Sequence, residues 1–181
     1  MKTPLARFRW VTAYGLTEML VALAIMAILL GIAAPGFVTL IENHRIKTAA
    51  SDLLAAIMLT RAEAIRRNRR VDLVPADGVD WTSGWVIYVD TDNQSRRRAA
   101  DEIIFLHGPL ARTMTLGSVM RDRTRPYLAY GANGRSRSRA NSQVPQAGHF
   151  IFALGQQRRL IVLNFVGRPR LCNPAVDAGC G

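Results

Sequence analysis

The stretch Tyr14–Ile41, YGLTEMLVALAIMAILLGIAAPGFVTLI, decides how the rest of the chain is read. From Met19 to Ile41 it runs 23 residues without a charge, between Glu18 and Glu42. A helix of about 20 apolar residues spans a bilayer, and secretory signal cores are shorter, about 7–15 residues. The preceding segment carries Lys2, Arg7 and Arg9 and no acid, which keeps it cytoplasmic and exports the chain beyond the apolar run. Glu18 stands at the edge of that run, where a carboxylate is costly unless it reaches the interface or meets a cation. Pro35-Gly36 is succeeded at once by helix-forming residues, so it should kink the helix rather than end it.

Beyond the proline, Ile46, Ala50, Leu53, Ile57 and Ala64 recur at helical spacing and form one apolar face. Arg66, Arg67, Arg69 and Arg70 come next, where cations complement the negative end of the helix dipole. From Val71 the period shortens. β-prone runs at Val71–Val74, Trp85–Val89, Ile103–Leu106, Tyr127–Tyr130, Phe150–Leu154 and Leu160–Val166 alternate with Gly, Pro, Asn and Asp clusters, as in a small antiparallel sandwich.

In all, 181 residues allow one ordinary domain plus an appendage. Two cysteines and three scattered histidines exclude a Cys/His zinc module and a disulfide-dense scaffold. His44, His107 and His149 have no nucleophile or metal-ligand spacing around them. Asp77, Asp80, Asp90 and Asp92 lack the spacing and closing Glu of an EF-hand, and turn formation accounts for them. No catalytic residue, metal or cofactor is expected, and the chain does not read as an enzyme.

Ala13-Tyr14-Gly15-Leu16-Thr17-Glu18-Met19-Leu20-Val21, the apolar run and Pro35 resemble the leader and N-terminal helix of type IV pilins and type II secretion pseudopilins. Ser51–Ala56, Arg61–Asn68 and Trp81–Asp90 are similar to the GspH/FimT subfamily, and Gly167-Arg168-Pro169-Arg170 to the Gly-Arg-x-Arg element of its FimT-type members. The resemblance implies an α+β, pilin-like fold: a long N-terminal transmembrane helix followed by a β-rich antiparallel globular head. It implies that prepilin peptidase cuts between Ala13 and Tyr14, with Gly15 and Leu16 as the other register, and that Glu18 acts in assembly by meeting a neighbouring subunit's amino terminus. The expected organisation is a cleaved cytoplasmic leader (1–13), a transmembrane and filament-core helix (14–41), an amphipathic continuation (42–70) and the head with its basic tail (71–181). The expected location is the bacterial inner membrane, crossed once with the head in the periplasm, and then the pilus surface. Expected partners are other major and minor pilins, the peptidase, the inner-membrane assembly platform and double-stranded DNA.

DNA enters because some FimT-type proteins take it up through the terminal element, and the charge pattern agrees. From Arg96 onward the chain has 14 arginines, no lysine and four acids (Asp101, Glu102, Asp122 and Asp177). Arginine's planar fork suits phosphate. In an extended segment Arg168 and Arg170 point the same way, about 6.7 Å apart, with Gly167 turning the chain out of the preceding strand. Pro169 argues against a central strand. Arg135, Arg137 and Arg139 repeat the arrangement among serines in an expected loop. Thin aromatic interleaving favours phosphate contact over base reading, hence weak sequence preference and strong salt dependence. Cys172 and Cys180 can close a seven-residue loop on the exported side, tethering the tail beside Arg168 and Arg170. The second reading is an H-type minor pseudopilin of a type II secretion system, which needs the anchor and fold but neither the Gly167–Arg170 element nor the basic head.

Overall fold

The computed structural model describes residues 15–139 and 143–180, and of 32–35 the backbone only. The expected processing positions Ala13 and Tyr14 lie outside the described residues. Gly15 and Leu16, the other register, lie at the start of the helix α1 (Leu16–Arg67), where the Gly15 carbonyl accepts the N–H groups of Glu18 and Met19. Glu18 occupies the first turn, where a carboxylate complements the positive end of the dipole.

The chain divides into two compact units, residues 1–40 and 41–181. The described part of the first is helical, continues through Pro35, and exposes Leu20, Leu23, Ile25, Ile28, Leu29 and Phe37. Among the described residues no single helix is long and apolar enough to cross a membrane; Leu16–Gly31 and Gly36–Arg67 meet that test only as a pair.

The second unit holds the remainder of α1 and two antiparallel sheets. The first sheet contains β1 (Val71–Pro75), β2 (Trp85–Val89), β3 (Ile103–His107), β5 (Leu128–Tyr130) and β6 (Ser136–Arg137), in the order β3-β2-β1-β5-β6. The second contains β4 (Thr115–Met120), β7 (Gly148–Leu154), β8 (Gln157–Leu163) and β9 (Pro169–Cys172), in the order β4-β7-β8-β9. This is the long helix and antiparallel head implied by the sequence.

One core joins all three layers. Ile46, Ala50, Leu53, Ile57 and Ala64, the apolar stripe of α1, are fully buried with Leu73, Trp85 and Ile87 of the first sheet and Phe150, Phe152 and Ile161 of the second. The opposite face of the first sheet is covered too: Val74, Val86, Tyr88, Tyr127 and Ala129 form a second cluster. Burial on both faces explains why β2 is a continuous apolar run rather than an alternating one, and why every residue of β1 is buried, Asp72 included.

Under that second face Asp72 is fully buried, and Arg70 binds it through two bonds of 2.7 and 3.0 Å. Arg70 also reaches Asp90 at 3.3 Å and donates to Ser95 Oγ at 2.6 Å. Asp90 accepts the N–H groups of Asp92, Asn93 and Ser95, so this cluster pins the loop after β2. Arg70 is therefore a structural cation inside the head rather than a helix-end charge. Arg66 and Arg67 both pair with Glu63, and Arg67 also with Glu102.

Candidate functional site

The turn between β8 and β9 is built by Asn164. Its side-chain oxygen accepts the N–H groups of Val166 at 3.0 Å and Arg168 at 2.9 Å, while its carbonyl accepts the Gly167 N–H at 2.8 Å. Gly167 has φ +79°, and a Cβ there would lie 2.8 Å from the Ser136 nitrogen and 2.9 Å from the Tyr130 ring. Only glycine fits both the conformation and the space. The Tyr130 hydroxyl donates to the Gly167 carbonyl at 2.5 Å, so the turn of the second sheet is bonded to the last strands of the first. Burial pushes the Tyr130 hydroxyl well above the ordinary tyrosine range, keeping it a donor.

This contact brings two sequence-designated groups together. Ser136 and Ser138 are buried while Arg135 is exposed and Arg137 and Arg139 half-exposed, so the serines face the head and Arg135 faces outward. The segment expected to be a loop is partly strand: Ser136 and Arg137 pair with Tyr130 and Ala129 of β5. Beneath it, Gly134 (φ +68°) lies against Ile65 and Arg61 of α1. Among the described residues, the guanidinium groups of Arg135, Arg137 and Arg168 have no hydrogen-bond or ion-pair partner. Arg139 differs. Its N–H donates to the Tyr127 hydroxyl, and its guanidinium reaches Thr124 at 3.4 Å and Gln94 at 3.5 Å.

Arg170 is exposed like Arg168, but unlike Arg168 it has partners. Its guanidinium donates to Asp177 at 2.9 Å and to the Gly179 carbonyl at 2.5 Å, so its charge is partly neutralised within the tail. Both partners lie in the loop closed by the Cys172–Cys180 disulfide, whose Cα atoms are 5.8 Å apart. Pro169 lies in a strand, though an edge one paired only to β8, where its missing N–H costs no ladder bond. Sequence reasoning does not find Phe165, 65% exposed at the tip of the turn beside Val166. The run Leu160–Val166 reads as one strand, yet β8 ends at Leu163. The Asn-x-x-Gly spacing of a tight turn, Asn164 to Gly167, is the available signal.

Among the described residues no group of three or more His, Cys, Asp or Glu side chains is placed to hold a metal ion. What the arrangement offers is a set of outward arginines carried on a two-sheet frame.

The family model described as type II transport protein GspH matches residues 49–167, stopping just before Arg168. No curated protein matches the chain closely enough to count as a relative. Among solved structures, the type IV minor pilin FimU of Pseudomonas aeruginosa is similar with a TM-score of 0.57 and 21% identity, over 74% of this chain and 92% of that one. The minor pseudopilin EpsH from the type 2 secretion system of Vibrio cholerae is similar with a TM-score of 0.52 and 13% identity, over 72% of this chain and 98% of that one. At those identities the two structures speak for the fold alone. With the family model covering most of the head, the chain belongs to the GspH family.

Proposed function

We propose that this chain is a minor type IV pilin that supports pilus assembly and binds double-stranded DNA through its arginine-bearing head, for DNA uptake. Prepilin peptidase processes it, the inner membrane holds the apolar helix with the head in the periplasm, and the assembly platform passes it to a filament of other pilins. The role is one of structure and binding, without a catalytic step or cofactor. The observation that carries the DNA reading is the Tyr130–Gly167–Ser136 contact. It fixes the turn bearing Arg168 against β6 and the residue before it, which carry Arg137 and Arg135, so several unpartnered guanidinium groups share one surface. Neutralising several phosphates together releases counterions together, and most non-specific affinity comes from that release.

Residues 41–181 form a compact unit with its own core, so the test is a mobility shift of that fragment on unrelated duplexes. Binding without sequence preference that weakens steeply with salt is the expected result. Absence of binding at low salt would remove the DNA reading. The H-type pseudopilin of a type II secretion system would then lead, favoured by the family model's match.

A further inference from the structure

The loop after β2 carries a second set of arginines. Arg96 and Arg97, together with Arg125, line a cavity of about 380 Å³ that Val74, Pro75 and Gly78 also line. Among the described residues none of these three guanidinium groups has a hydrogen-bond or ion-pair partner. The one carboxylate at the cavity, Asp77, is turned to its own backbone, accepting the N–H groups of Val79 and Asp80 at 2.8 Å. Those bonds hold it below the usual carboxylate range.

The segment is not a loose basic run. Ser95, immediately before Arg96, is buried, with its hydroxyl accepting from Arg70 at 2.6 Å and its N–H donating to Asp90 at 3.0 Å. The fully buried Asp72 holds Arg70 in turn. A buried ion cluster thus sets where Arg96 and Arg97 leave the head.

The cavity is also connected to the arginine strand. Arg139 reaches Gln94 on one side and Thr124 on the other, the residues flanking Ser95-Arg96 and Arg125. From the Gly167 turn, the path runs through Ser136 and Arg139 to the cavity without leaving the head. Arg135 to Arg139 alone spans about 13 Å at strand rise, several phosphate steps along a duplex.

We propose that the Arg96–Arg97–Arg125 cavity binds a phosphate group, and that its natural occupant is a backbone phosphate of the same duplex engaged at Arg168. This extends, and rests on, the DNA reading of the head. Three arginines lining one cavity suit the tetrahedral, multiply accepting phosphate better than a single carboxylate.

The test uses the full chain in detergent: wild type, the triple variant Arg96→Gln/Arg97→Gln/Arg125→Gln, and Arg168→Gln. Duplex binding is followed by anisotropy across a salt titration, and tripolyphosphate binding by calorimetry, with poly-glutamate as the competing polyanion. The triple variant should lose tripolyphosphate binding, bind duplex at least about tenfold more weakly, and flatten the salt slope by about two to three units. Arg168→Gln should flatten it by about one and leave tripolyphosphate untouched. A triple variant that binds both probes like wild type overturns the cavity and leaves the DNA reading standing. Tripolyphosphate binding at the cavity by a wild type that ignores duplex upholds the phosphate site and overturns DNA as its occupant. Poly-glutamate binding as tight as duplex overturns the phosphate assignment, and binding of neither phosphate probe by wild type overturns both.

Discussion

The hydroxyl of Tyr130 in one sheet donates to the carbonyl of Gly167 in the turn of the other, at 2.5 Å and out of contact with water. Tyr130→Phe removes the donor and leaves the carbonyl unpaired, at a cost of about 1–3 kcal/mol. Gly167→Ala adds a side chain at positive φ and against Ser136, for about 1–3 kcal/mol of backbone strain plus the clash. Denaturant unfolding of residues 41–181 should show both losses, with Gly167→Ala the larger.

Ionisation of Asp72 opposes stability. Burial pushes its carboxyl up to about 6 against the pull of Arg70, and the neighbouring Asp90 charge adds to the rise. Between the unfolded carboxyl value, about 3.9, and about 6 the folded state binds more protons than the unfolded one. Stability therefore falls as pH rises through that window. Asp72→Asn should remove this component, read as the difference between the two proteins' unfolding midpoints across roughly pH 4–7. Equal pH profiles would contradict the raised value.

Much of the frame is legible in the sequence. The Ile46–Ala64 stripe has a helical period that no other structure would bury, and Trp85–Val89 is a compact β-prone run bounded by Gly84 and Asp90. β4 escapes such a reading because Thr115–Met120 carries Gly117 and Ser118 and takes its strand form from pairing with β7. β6 has two paired residues and β9 begins with a proline, so neither has a local signature. The site is half legible. Gly167, Arg168 and the Arg135–Arg139 alternation stand out, but Arg70 differs from its exposed neighbours only through Asp72 and Asp90 under the sheet. The pairing of Arg170 with Asp177 likewise depends on how the bridged tail folds back.

Reducing the Cys172–Cys180 bridge opens a loop that separates residues eight apart, worth about 2–3 kcal/mol by chain entropy. Reduction should lower the melting temperature and free Arg170 from Asp177. DNA affinity should change modestly and the salt slope should not fall, because no phosphate contact is removed.

Glu18 sits in the first turn of α1, and assembly through a neighbour's amino terminus would use the same carboxylate. Glu18→Ala should leave the head folded and reduce incorporation into filaments severalfold, checked by immunoblot of sheared pili. Normal incorporation would contradict the assembly role.

On the DNA reading, Arg168 and Arg135 touch phosphate while Arg170 is held by the tail, and this division of roles has a measurable signature. It is tested most directly by a salt titration of residues 41–181 on two unrelated duplexes, comparing wild type, Arg135→Gln/Arg168→Gln and Arg170→Gln. The double variant should lose about two units of log–log slope on both duplexes while keeping its melting temperature, since exposed charges contribute little to folding. Arg170→Gln should change the slope by well under one unit. A double variant with wild-type affinity and slope would contradict the claim.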